Sequence, residues 1–281
     1  MCRGIIMIQN KYNAVWVSHS SMGDYLRCPR AYYLRNVYRD PRNNHRMTLM
    51  QPALALGQAV HEVIEALSVL PVGERLKRPL LDAFDRVWLR VSGEKGGFSN
   101  SEEELAYKTR GKNMLSRVMK HPGPLGRKAT KIKESLPNFF LSEEDNIILC
   151  GKIDWLEYDE ETDSIYVLDF KTGKMDERPD SLQLPIYYLL AKACQKRPVV
   201  GVRYWYIDRD DSPVDMPMPD ENEGRKRILE VAKMIALARK LERFVCSKKD
   251  GCAACKPMEA IKLGKGKYVG ESEFHQDIYI V

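Results

Sequence analysis

The sequence predicts an α/β (α+β) fold: a small central mixed sheet flanked by helices, preceded by a helical N-terminal region. Three observations predict it. Apolar residues recur at helical spacing as far as residue 121. Short runs rich in β-branched and aromatic residues follow, set between acidic turns. A long amphipathic segment then comes before a cysteine-bearing tail. Period 3.6 marks helices, and short β-rich runs between turn residues mark strands. A chain of 281 residues at 44% hydrophobic can bury one sizeable core.

Residues 18–37, SHSSMGDYLRCPRAYYLRNV, read as one helix with serine caps, its Tyr25, Leu26, Tyr32, Tyr33 and Val37 along one side. Residues 53–70, 79–91 and 101–121 read as three more amphipathic helices, the first bounded by Pro71. Residues 131–141, 146–158 and 164–173 read as consecutive antiparallel strands, separated by SEED and DEETD. Residues 180–195 return to helix, 199–208 to strand and 222–244 to helix. The whole chain, 1–281, reads as one domain. Residues 18–130 form a helical part with inserted helices, 131–210 the sheet core, and 211–281 a helix with a cysteine-bearing tail.

The net charge of +6 fits a phosphate-rich partner without specifying one. No apolar run reaches eighteen residues, so no membrane span is expected. The apolar start is too short for a signal peptide, and a cytoplasmic protein is expected. Seven cysteines, an odd number without a secretory signal, argue for ligation or burial rather than a disulfide framework. There is no G-x-x-x-x-G-K-[ST] pattern, so these residues carry no nucleotide-driven motor.

The run VLDFKTGK, residues 167–174, carries the chemistry. Residues two apart in a strand point the same way, so Asp169 and Lys171 share a face and Phe170 packs inward. The preceding strand also ends its apolar part on an acid, Asp154, and the short connection allows a hairpin. Two neighbouring carboxylates repel each other unless a cation sits between them. Mg²⁺ or Mn²⁺ suits such oxygen ligands, and a lysine beside the ion can hold a phosphate oxygen. These parts suit metal-assisted phosphodiester hydrolysis. Taken alone, Asp169 and Lys171 also fit a surface salt bridge.

GKIDWLEY followed by SIYVLDFKTGK resembles the core motif of the PD-(D/E)XK nuclease superfamily, in its RecB-like branch. That branch holds the RecB and AddB nuclease domains and the CRISPR-associated adaptation nucleases. LGQAVHEVIEAL is similar to the branch's glycine-then-histidine helix, KESL to its glutamate-bearing strand, and QLPIYYL to its Q-x-x-x-Y helix. The resemblance runs from about Ser18 to Tyr188 and implies a restriction-endonuclease-like core. It implies that Asp154, Asp169, His61 and the Phe170 carbonyl bind the metal, and that Lys171 positions the water and the scissile phosphate. Glu134 would act behind the ligands or toward a second ion. Gln183 and Tyr187, on one helical face, would contact the strand or brace Lys171.

The same branch often carries a [4Fe–4S] cluster held by four cysteines, which the resemblance assigns here to Cys28, Cys246, Cys252 and Cys255. The order departs from the branch's pattern, because C-x2-C follows the isolated third cysteine and no cysteine comes after Cys255. Zinc also takes four thiolates, and unbound thiols are the third reading. Cys2, Cys150 and Cys194 are expected to be unligated. Arg27, Arg30, Arg35, Arg39, Arg42 and Arg46 form a basic cluster that could follow phosphates, with Tyr32 and Tyr33 stacking on bases.

The expected function is a metal-dependent DNA nuclease, an exonuclease acting on single strands or ends in recombination, repair or replication, with a helicase or recombination partner. The alternatives are a non-catalytic DNA-binding module and a CRISPR adaptation nuclease. The inserted helices from Pro79 to Pro124 have no reading beyond covering the substrate channel.

Overall fold

The computed structural model describes residues 11–281 apart from positions 78 and 133. Cys2 and the apolar start of the chain lie outside the described residues.

The described residues begin with a 3₁₀ turn (Lys11–Asn13), strand β1 (Val15–Val17), helix α1 (His19–Arg27) and the short helix α2 (Pro29–Tyr32), which runs into a π-helical turn over Tyr33–Val37. The single helix expected over 18–37 is therefore broken. Cys28 is extended, at φ −168° and ψ 115°. The physical reason is Pro29, whose ring disfavours helical backbone at the residue before it and starts a new helix at its own position. The Ser18 hydroxyl caps α1 by accepting from the Ser21 N–H. Leu26 is exposed, so the expected apolar side does not run through.

Strand β2 (Arg46–Leu49) leads to helices α3 (Pro52–Leu67), α4 (Leu80–Trp88) and α5 (Ser101–Lys120), close to their expected bounds. Next come β3 (Ala129–Thr130), β4 (Asn138–Ser142), β5 (Ile147–Cys150), β6 (Trp155–Asp159) and β7 (Ser164–Lys171). Helix α6 (Gln183–Cys194), β8 (Val199–Tyr206), β9 (Val214–Met216) and α7 (Glu221–Lys240) follow. The chain closes on α8 (Lys256–Lys262), β10 (Lys267–Glu271) and β11 (Gln276–Ile280).

The central sheet has the order β3-β6-β7-β8-β9, with β7 and β8 parallel and joined through α6. The other pairs in this sheet are antiparallel. This is the mixed sheet flanked by helices that the sequence predicts. The expected antiparallel run across residues 131–173 is corrected, because 146–158 is two strands and not one. β5 pairs with β4 and, in parallel, with β1 in a separate sheet, while β6 belongs to the central sheet. The break falls at Gly151. Its N–H still bonds the Pro137 carbonyl in step with the β4–β5 ladder, the chain leaves that ladder after it, and a Cβ there would lie 3.0 Å from Leu190 Cδ1. A third sheet, β10-β11-β2, ties the tail to the N-terminal part. The basic tail's alternation was too weak to mark these strands.

Alternation along β7 assigns its two faces. Ile165 and Val167 pack with α6 and α7. Leu168 and Phe170 pack with Trp205, α3, α4 and α5. The inserted helices α4 and α5 thus build a core under the face opposite Asp169, where Phe84 and Trp88 are fully buried. Each such large apolar side chain stabilises by roughly 2–3 kcal/mol. A buried charge costs several kcal/mol, so Leu168, Phe170 and Trp205 together are enough to hold a strand that ends in an acid. Among the described residues, no helix is long and apolar enough to cross a membrane.

Candidate active site and cysteine cluster

The site lies at the C-terminal end of β7, where parallel strands commonly present their functional groups. β6 and β7 pair with Trp155 opposite Leu168, and one step beyond that pair Asp154 faces Asp169. Asp154 therefore sits just before β6 rather than at its end. The Phe170 N–H donates to Asp154 Oδ2 at 3.0 Å, fixing the carboxylate between the two chains.

Asp169 is only 2% exposed. Its Oδ1 accepts from Gln183 Nε2 at 2.8 Å. Its Oδ2 lies 3.0 Å from Lys171 Nζ, off the line of a hydrogen bond, and has no other partner. Burial, and then the nearby Asp154 charge, push the Asp169 carboxyl up to about 7, against the opposing pull of Lys171 and His61.

Lys171 Nζ is also 3.0 Å from Glu177 Oε2, donates to Gln183 Oε1, and stands 4.7 Å from the centre of the Tyr204 ring. Burial disfavours its charge, but Asp169 and Glu177 outweigh that and hold the ammonium above its ordinary pKa. Gln183 also donates to Tyr187 Oη at 3.3 Å, so the α6 pair sits behind the acid–lysine pair rather than out toward solvent.

α3 supplies His61, whose Nδ1 is 3.4 Å from Asp154 Oδ2. His61, Glu65 and Asp154 bring ligand atoms within 4.8 Å of one another. Burial opposes charge on His61, yet Asp154 and then Asp169 and Glu65 raise its pKa. Gly57 lies one turn before His61 on the same face. A Cβ on Gly57 would meet Thr172 Oγ1 at 3.3 Å, so the missing side chain lets α3 approach the end of β7.

The residues fit a divalent cation. Glu65, Asp154 and His61 converge, and beside them the buried Asp169 Oδ2, outside that group, is left without a hydrogen-bond donor. Glu134 does not sit on a strand. It is exposed in a bend and shares with Asp154 and Glu65 the wall of a cavity of about 600 Å³. Pro137 and the preceding polar run keep that segment from joining the ladder.

Three residues here lay beyond sequence reasoning. Glu65 is one turn past His61 on α3, so i,i+4 spacing was its available signal. Glu177 comes from the loop after β7, and its N–H donates to Tyr206 Oη at 3.0 Å. His19, at the start of α1, feels Glu177 and Lys171, and its burial lowers its pKa. Loop and helix-start residues carry no periodic signal.

The second constellation joins both ends of the chain. Cys28, at the α1–α2 break, meets Cys246, Cys252 and Cys255 with sulfurs within 4.8 Å of one another. All four are free thiols. Cys252 and Cys255 sulfurs are 3.8 Å apart, and the Cys252 and Lys248 N–H groups donate to Cys255 and Cys246 sulfur. Backbone N–H groups of Cys255 and Ala254 hold the Cys252 thiol down to about 6, while burial pushes Cys28 up to about 12. Four sulfurs around one point are the donor set of an iron–sulfur cluster or of zinc. Cys150 and Cys194 stand apart, directed at the Val17 and Asn138 carbonyls.

The model of the PD-(D/E)XK nuclease superfamily matches residues 16–259. A solved structure of a candidate exonuclease from Eubacterium rectale is similar at 12% identity, over 91% of this chain and 93% of that one, with a TM-score of 0.45. No curated protein matches significantly. The matched span takes in both facing acids, the lysine two residues on and the helices that brace them, and by that match the chain belongs to the PD-(D/E)XK nuclease superfamily.

Proposed function

We propose that the protein is a metal-dependent deoxyribonuclease of the RecB-like branch, hydrolysing phosphodiester bonds as an exonuclease on single-stranded DNA or DNA ends. The observation that carries this reading is the meeting of His61, Glu65 and Asp154 at the end of β7, beside the buried Asp169 and a lysine held by its own partners. Asp154, Asp169, His61 and the Phe170 carbonyl hold Mg²⁺ or Mn²⁺, with Glu134 and Glu65 at the cavity edge. A bound ion there supplies Lewis-acid polarisation of the phosphate and a more acidic water.

Lys171 is held as ammonium, so it stabilises charge on the phosphate and orients the water rather than removing a proton. Gln183 aims that ammonium and the Asp169 carboxylate at once. Tyr187 braces Gln183 from behind. The four cysteines hold a [4Fe–4S] cluster that staples α1–α2 to the tail.

The test is degradation of end-labelled single- and double-stranded DNA by anaerobically purified protein in Mn²⁺, Mg²⁺ or EDTA, beside Asp169→Ala. Metal-dependent loss of label in wild type alone supports the reading. Degradation that persists in EDTA or in Asp169→Ala sinks it.

A further inference from the structure

A cavity of about 940 Å³ lies away from the acid–lysine site. Its walls come from the segments that meet at the cysteines. Arg30 follows Cys28, Phe244 precedes Cys246, and Lys262 lies in the helix that starts after Cys255. Arg39 and Arg239 complete the basic lining.

The charges there are unevenly matched. Arg30 pairs with Glu259. Among the described residues, neither Arg39 nor Arg239 forms an ion pair with a carboxylate, and Glu242 on the cavity's edge is beyond ion-pair distance of both. Burial, and then the charges of Arg46 and Arg239, make it harder for Arg39 to remain charged. Both side chains are exposed in the cavity lining and held by no acid, and their planar forks match phosphate oxygens. Beside them is an aromatic wall. Tyr33 stacks on Phe244 at 5.0 Å and meets the Tyr38 ring at 6.1 Å. Tyr32, expected to stack on bases, is instead buried at 1% exposure, and Arg27, Arg35 and Arg42 are spent on Asp24 and Asp40.

From this geometry we infer that the cavity beside the four cysteines is a second binding site for a single nucleic-acid strand, with Arg39 and Arg239 on its phosphates and the Tyr33 wall against a base. Unpaired bases offer a face to such a wall and duplex bases do not. The inference rests on the nuclease reading for its ligand. It makes the cysteine module a substrate anchor as well as a staple, because the same three segments build both.

The experiment measures anisotropy of a dye-labelled single strand of about 16 nucleotides, in EDTA, over a range of salt. Arg39→Gln with Arg239→Gln is expected to weaken binding about tenfold or more. The slope of log K against log salt should become shallower by about 1.4, two contacts at roughly 0.7 each. Arg39→Lys with Arg239→Lys, with charge kept, is expected to retain most of the slope, and Lys262→Gln to lose part of it. Hydrolysis of bis(p-nitrophenyl) phosphate, too small to reach the cavity, should be unchanged by the Gln pair. If wild type fails to hydrolyse any phosphodiester, the nuclease reading falls while the binding arm still reports on the cavity. Unchanged affinity and slope in the Gln pair would overturn the site, as would inorganic phosphate binding that no strand displaces.

Discussion

Gln183 donates a 2.8 Å hydrogen bond to the buried Asp169 carboxylate while its carbonyl accepts from Lys171. Only one orientation of the amide satisfies both neighbours, NH₂ toward the anion and oxygen toward the ammonium. One helix residue therefore fixes both functional groups of β7.

Gln183→Leu should leave Asp169 short of its only well-directed donor. An unsatisfied buried group costs about 1–3 kcal/mol. Metal-dependent cleavage is expected to fall about 10–100-fold in kcat, with KM little changed. Steady-state kinetics beside a thermal melt checks this, and a pure KM effect would contradict the bracing role.

Asp169 gives the pH dependence. It is faced by Asp154, Lys171, His61 and Gln183, and its carboxyl is raised from 3.8 to about 7. A raised acid binds more protons folded than unfolded, so stability is lost as pH climbs toward 7. The Tm of metal-free wild type should therefore fall relative to Asp169→Asn between pH 5 and 7, and added Mn²⁺ should close the gap. Mn²⁺ affinity should rise with pH up to about 7, since the ligand must first lose its proton. Calorimetric titration showing flat affinity over that window would contradict the shift.

Gly57 tests the approach of α3. The 3.3 Å that a Cβ would have to Thr172 Oγ1 is tight but local. Gly57→Ala should be mild, whereas Gly57→Val should cost about 1–3 kcal/mol by overpacking and move His61 away from Asp154. Weaker Mn²⁺ binding by Gly57→Val, with near-normal binding by Gly57→Ala, is the expected pair of results.

Anaerobically purified protein is expected to be brown, and Cys28→Ser to be colourless. Losing the link between the chain ends should also lower Tm by roughly 10 °C, as several kcal/mol would in a chain of this size. Metal analysis finding one zinc per chain and no iron would replace the cluster with zinc.

Much of this molecule was legible in the chain. Strong local periodicity marked α3, α5, α6, β7 and β8, because burying one face dictates spacing there. The alternation of Val167, Asp169 and Lys171 against Leu168 and Phe170 decided which way the acid and lysine point. Local chemistry also explains the misreadings. Pro29 outweighed the apolar pattern of residues 18–37, and Gly151 divided what read as one strand.

Residue chemistry and its spacing along each element are written in the chain: an acid and a lysine on one strand face, a glutamine and a tyrosine one helical turn apart, four cysteines at the two ends. Which elements meet was set by packing across the fold. It set Asp154 against Phe170, brought His61 over through the gap at Gly57, closed the cysteines on one another, and placed Glu177 on Lys171. The physical reason is range. Propensity and periodicity act over a few residues, whereas these contacts join segments up to about two hundred residues apart, through packing and buried charge that no short stretch of chain encodes.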